Sequence, residues 1–271
     1  MNKLLQRVVT AVVLLPVLLI IFFALPLSAA IAVLGVFIAA GAWEWSAFLP
    51  LKRFSARAAY TGLLLVLMAA SLWLFSDRAA LQPLLWLSVL WWAVAFICLL
   101  RFPIKISPAF GAVCGVLVVI PAWVALAALL SVPGRGPEYV WFVLMIVWAA
   151  DIGAYFVGSY LGRTKLLPKV SPGKTWEGLG GGIIGAIGVA WCGSWWFDWS
   201  PWFLIPLAVS VTVISVVGDL TVSMFKRNAG LKDSGNLFPG HGGVLDRVDS
   251  VAAAVPLFVL EMIWIGLLAG D

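Results

Sequence analysis

The stretch SMFKRNAGLKDSGNLFPGHGGVLDRVD, Ser223 to Asp249, gathers cations, carboxylates, glycines and the chain's single histidine. Just before it, in VISVVGDLTVSMFKR, Asp219, Ser223, Lys226 and Arg227 are spaced i, i+4, i+7 and i+8. On a helix these share one face, which sets a carboxylate about two turns below a pair of cations. Asp246 and Asp249 are one helical turn apart, so both can face one site while Arg247 points elsewhere or to a phosphate. Asp219 and Asp246, with Asp249 as third ligand or just behind them, are hard oxygen donors with no soft partner. Such a set suits magnesium, which keeps several waters and shares its shell with substrate phosphates. Without a cation, carboxylates this close would repel one another. In Gly240-His241-Gly242-Gly243, successive N–H groups can form an anion nest. His241 itself reads equally as a phosphate donor, a proton carrier or a loop hydrogen-bonder.

A second polar segment, GRTKLLPKVSPGKTWE, runs from Gly162 to Glu177. Together with residues 226–249 it holds 8 of the 17 Lys and Arg residues, a concentration that a merely spanning protein has no use for. Its Pro172-Gly173-Lys174-Thr175 ends like a P-loop, but Pro168 stands where that motif needs glycine, and an apolar helix cannot supply the preceding strand. Gly181 and Gly185 have the GxxxG spacing of close helix packing, not of nucleotide binding. Four acids fall in or beside apolar runs: Glu44, Asp151, Asp219 and Glu261. An ionisable group there implies a function and a partner. For Asp219 the plainer alternative is an ion pair between helices. Asp151, before Ile152-Gly153-Ala154, reads equally as helix packing or substrate pocket. Glu44 and Glu261 stand alone among apolar neighbours and suggest no role.

The elements that must position these groups are membrane helices. Of 271 residues, 63% are hydrophobic and 11% charged, and the mean hydropathy is +1.10. A soluble domain runs nearer half apolar and a quarter charged. Apolar runs near 8–25, 28–48, 58–75, 83–100, 108–131, 139–161, 178–197, 201–225 and 250–269 predict an all-α polytopic membrane protein of about nine spans. The first is read as a retained span, not a cleaved signal. With nine spans, every Lys and Arg but Arg78 and Arg135 falls on one face, which is therefore cytoplasmic and holds the N-terminus. Residues 1–135 form an N-terminal scaffold that faces lipid or makes a dimer contact. Residues 136–271 form the catalytic region, with cytoplasmic loops 162–177 and 226–249. Tryptophans near run ends, among them Trp45, Trp73, Trp91, Trp92 and Trp195, are expected as interfacial anchors. Cys98, Cys114 and Cys192 lie far apart in apolar runs, which supports neither disulfide nor zinc.

The elements Ser223, Lys226-Arg227, Lys232-Asp233, Pro239-x-His241-Gly242-Gly243 and Asp246-Arg247-x-Asp249 resemble the signature of the phosphatidate cytidylyltransferases, also called CDP-diacylglycerol synthases. The segment ADIGAYFVGSYLGRTKLLPKVSPGKTWEG is similar to a second block of that family, so the resemblance covers about the C-terminal half. Gly173 departs from it, standing where many relatives carry a second lysine. The resemblance implies transfer of the cytidylyl group of CTP to phosphatidate in the inner membrane, with the active site facing the cytoplasm. It also implies a magnesium centre, with or without a potassium ion, and a homodimer; nucleic acid has no part. On this reading Asp219, Asp246 and Asp249 hold the metal, and they and Lys226 form the catalytic set. Ser223, Arg227, Lys232, His241, Arg247, Lys174 and Asp151 contact substrate. The CDP-alcohol phosphotransferases, which also use membrane aspartates, are set aside because their Asp-Gly and Ala-Arg block and Asp-x-x-x-Asp ending are absent. The rival from another class is a transporter or binding protein for an anionic solute or lipid, for which the opposite face offers no matching exit site.

Overall fold

A computed structural model describes residues 14–51, 53–235, 237 and 242–268. Within them lie nine α-helices, one for each predicted span: α1 (Leu14–Phe23), α2 (Leu27–Trp45), α3 (Phe54–Leu74), α4 (Arg78–Leu100), α5 (Pro108–Leu130), α6 (Gly136–Tyr160), α7 (Trp176–Phe197), α8 (Pro201–Asn228) and α9 (Leu245–Trp264). Seven of these, α2 to α8, are long and apolar enough to cross a membrane. An apolar helix satisfies its own backbone in lipid, and its ends need separate partners. Asp77 accepts the Ala80 N–H at 2.7 Å to cap α4, Ser107 caps α5 through Phe110, and Thr175 caps α7 through Gly178 at 3.0 Å. Val244, at the start of α9, has no capping side chain of its own.

Two features go beyond the hydropathy pattern. The 162–177 loop folds into an antiparallel hairpin of β1 (Lys165–Leu167) and β2 (Ser171–Thr175), with Lys165 opposite Thr175. Lys174 thus lies on the strand itself, not in a loop between strand and helix, so the segment is no P-loop. The tryptophans also divide. Trp73 and Trp195 are largely exposed, as interfacial anchors are, but Trp45, Trp91 and Trp92 are buried, which corrects their assignment as anchors. Burial gives these large rings contact on every side: Trp45 packs 4.9 Å from Phe225 and donates its indole N–H to Gly111 O at 3.0 Å. They belong to a core that also contains Val170, Met224 and Leu245, directly beneath the polar loops. Cys98 and Cys114 are wholly or partly buried and Cys192 is exposed; all three are free thiols.

The polar end of the bundle is set by backbone-close helix pairs. A Cβ on Gly182 would lie 2.8 Å from Ala150 O, and one on Gly185 would lie 2.6 Å from Ala149 O, so α6 and α7 meet without side chains between them. This bears out the packing reading of the Gly181–Gly185 spacing. Farther along, a Cβ on Gly218 of α8 would lie 2.6 Å from Asp249 O and 2.8 Å from the Ala253 methyl of α9. Gly180 and Gly188, by contrast, face open space. Replacing Gly182 or Gly185 with valine is expected to lower the melting temperature in detergent, reflecting a cost of about 1–3 kcal/mol or more for overpacking. Gly180→Ala and Gly188→Ala, measured beside them, should melt as the wild type does.

Candidate active site

α8 carries Asp219, Ser223 and Lys226 on one face, as the spacing requires. Asp219 Oδ2 lies 2.6 Å from Lys174 Nζ on β2, and Ser223 donates to Asp219 Oδ1 at 3.3 Å. Two turns on, Lys226 Nζ lies 2.6 Å from Asp246 Oδ1 in the first turn of α9, with both side chains nearly buried. The ion pair envisaged for Asp219 therefore exists, but it joins a helix to the hairpin and leaves the carboxylate partly open. The Gly218 crossing brings Asp249, buried at the α9 side of the contact, close enough to Asp219 for their charges to interact. Asp249 Oδ1 accepts the Ser250 N–H at 2.7 Å. Asp151 of α6 is exposed and lies within electrostatic range of Lys174, Asp219 and Arg247.

The remaining residues frame this centre. The Arg227 guanidinium lies 3.5 Å from Val170 O in the hairpin turn and 3.4 Å from Leu231 O, linking the hairpin to the segment after α8. Lys232 and Arg247 are exposed, and Arg247 is engaged with its surroundings. His241 lies outside the described residues.

Asp246, expected as one of three aspartates around a metal, meets protein partners through both of its oxygens. Its Oδ1 meets Lys226, and its Oδ2 accepts the N–H groups of Ser234 at 2.9 Å and Gly243 at 3.0 Å. It thereby ties the two ends of the 229–244 loop together. Gly242, at φ +81°, turns the chain here, and a side chain on it would run into Asp246 Oδ2. Among the described residues no three acidic, histidine or cysteine side chains gather as a metal cage. Asp219 and Asp249, on either side of the α8–α9 contact, are hard oxygen donors of the kind that magnesium takes beside water and phosphate.

Sequence reasoning missed Glu44. It is 7% exposed, and its carboxylate accepts from Val244 N (2.9 Å), Leu245 N (2.8 Å) and Ser234 Oγ (2.9 Å). The predicted scaffold half thus reaches the polar loop of the C-terminal half. The available signal was the one used for Asp219, a carboxylate in an apolar span. Glu261, likewise passed over, accepts from Ser210 at 2.8 Å between α8 and α9.

Breaking a nearly buried pair strands a charge. Lys226→Met is expected to destabilise the fold by about 3–5 kcal/mol in unfolding titrations in micelles. Adding Asp246→Asn, which removes the stranded charge and keeps an acceptor for the loop amides, should recover most of that loss.

The family model described as the cytidylyltransferase family matches residues 5–264. The phosphatidate cytidylyltransferase of Pseudomonas aeruginosa is 40% identical over 266 residues, covering 96% of each chain. That of Haemophilus influenzae is 40% identical over 281 residues, 93% of this chain and 96% of the relative. The Synechocystis protein of the same name is 50% identical over 113 residues, covering 41% of this chain and 38% of its own.

Proposed function

The chain belongs to the cytidylyltransferase family, and we propose that it transfers the cytidylyl group of CTP to phosphatidate, giving CDP-diacylglycerol and pyrophosphate for phospholipid synthesis. The observation that carries this reading is the paired charge at one end of the bundle, Lys174–Asp219 and Lys226–Asp246, with Asp249 beside Asp219. The opposite end holds a cavity lined mostly by apolar side chains, including Ile31, Leu72, Val124 and Val259. Charge gathered at one face favours chemistry there over passage across the membrane.

Phosphatidate supplies its own anionic nucleophile, so the protein need not generate one. A phosphate oxygen of phosphatidate forms a bond to the α-phosphorus of CTP as the bond from that phosphorus to pyrophosphate breaks. Two polyanions must be brought in line and the leaving charge met, so positioning and electrostatics dominate. Lys174 and Lys226 each hold an aspartate oxygen at 2.6 Å. An ammonium has three N–H donors, so each keeps donors for phosphate oxygens. Arg227, Lys232 and Arg247 add positive charge around the loop, and Asp151 and Ser223 border the substrate. Asp219 and Asp249 would hold magnesium, with or without a potassium ion beside it, while Asp246 orders the loop. A magnesium ion bound there supplies neutralisation of the departing pyrophosphate. The acyl chains of phosphatidate stay in lipid while its phosphate meets CTP at the cytoplasmic surface. Bacterial relatives support an inner-membrane location, and the proposal includes a homodimer.

Pyrophosphate release by detergent-solubilised protein is expected to require phosphatidate, CTP and magnesium together. It should fall about 10²-fold in Asp246→Asn, because Lys226 loses the carboxylate that holds it in place. Well-folded protein that binds CTP but releases no pyrophosphate would overturn the reading.

A further inference from the structure

The start of α9 is capped from another part of the chain. Val244 precedes the helix with no side-chain cap, yet the N–H groups of Val244 and Leu245 both end on Glu44, 200 and 201 positions earlier in sequence. Free N–H groups at a helix start favour a negative charge, and a carboxylate placed there satisfies them in the way a capping side chain does. The third bond, from Ser234 Oγ, ties in the other end of the 229–244 loop. Glycine at 235 and 243 permits the approach, since a Cβ at either position would collide with the Glu44 carboxylate.

Glu44 is itself held in place. Beside it, the Trp45 indole is fixed to Gly111 O and packs on Phe225 of α8. On its other side the Arg57 guanidinium lies 4.4 Å over the Trp43 ring and donates to Trp43 O at 3.2 Å and to Ser46 Oγ at 2.9 Å. The end of α2 is thus a fixed platform that presents one carboxylate to the first turn of α9. Asp246 follows Leu245 directly, and Asp249 lies one turn farther on. Asp246 also grips Ser234 and Gly243, so two carboxylates from opposite halves of the chain close the same loop.

We infer that Glu44 is a positioning residue of the transfer reaction: by capping α9 and clamping the loop ends, it sets Asp246 against Lys226 and Asp249 against Asp219. This rests on the synthase reading for its catalytic part. Lys174, paired with Asp219, and Arg227, bonded to Val170 O, have partners outside the Glu44 clamp, so these two cations keep their places without it.

The test uses full-length protein in micelles, as Glu44→Gln and, separately, Ser234→Ala, which removes one donor and leaves the α9 cap. Gln has the same size but turns an NH2 group toward N–H donors. In Glu44→Gln, amide hydrogen exchange should quicken at Ser234, Gly243, Val244 and Leu245 while α5 and α6 exchange as in the wild type. Turnover should fall about 10²-fold, as for a misplaced catalytic group, with KM for CTP within about twofold. Ser234→Ala should quicken exchange at the loop ends with a smaller loss of turnover. Unchanged local exchange would overturn the inference, as would a uniform rise along the chain or a loss confined to KM. Wild-type turnover decides the synthase reading by itself, whereas the exchange measurement needs no turnover, so the two failures are distinguishable.

Discussion

A carboxylate drawn into an apolar bundle keeps its charge only if a cation or a set of N–H groups comes with it. Most of the polar end of this molecule follows from that constraint. Asp219 meets Lys174, Asp246 meets Lys226 and two loop amides, and Glu44 meets two helix-start amides and a hydroxyl. The partners come from α2, the hairpin, α8, the loop and α9, so each pairing fastens two elements together. Ion pairs of this kind are seldom the most stabilising way to fill such space. Their concentration at one end therefore points to chemistry there. Lys174 and Lys226 each have donors left over, which makes a structural pair also a place for phosphate.

Small residues make the pairing possible. Gly218 lets α9 approach α8 until the Asp249 carbonyl would be 2.6 Å from a Cβ, which brings Asp249 beside Asp219. Glycines of α7 let α6 approach in the same way, which carries Asp151 toward Lys174 and Asp219. A lipid substrate fits this arrangement, because its apolar part needs no room inside the bundle and only its phosphate must reach the charged mouth.

Most of the fold was legible because apolar length is local and additive along the chain. The nine runs correspond to the nine helices, and the Asp219–Ser223–Lys226 face follows from helical spacing alone. What escaped depends on distant partners. Glu44 is a lone acid in α2, and nothing near it in sequence names Val244 or Ser234. Asp246 has the spacing of a metal ligand, but nothing near it in sequence names Lys226 or Ser234 as its partners. Whether Trp45 and Trp92 lie at the interface or in the core depends on which helices cross there, which hydropathy does not encode. The hairpin was hidden by a short strand rich in glycine, proline and lysine.

The charged mouth is expected to transfer a cytidylyl group to a lipid phosphate instead of merely binding or hydrolysing CTP. Following CTP labelled at the α-phosphorus through phase separation tests it most directly, in the wild type and in Asp219→Asn. Label is expected to enter the organic phase only when phosphatidate is present, with one pyrophosphate released per labelled lipid, and Asp219→Asn should largely abolish this. Label that stays in water as CMP or CTP, from folded protein supplied with both substrates, would contradict it.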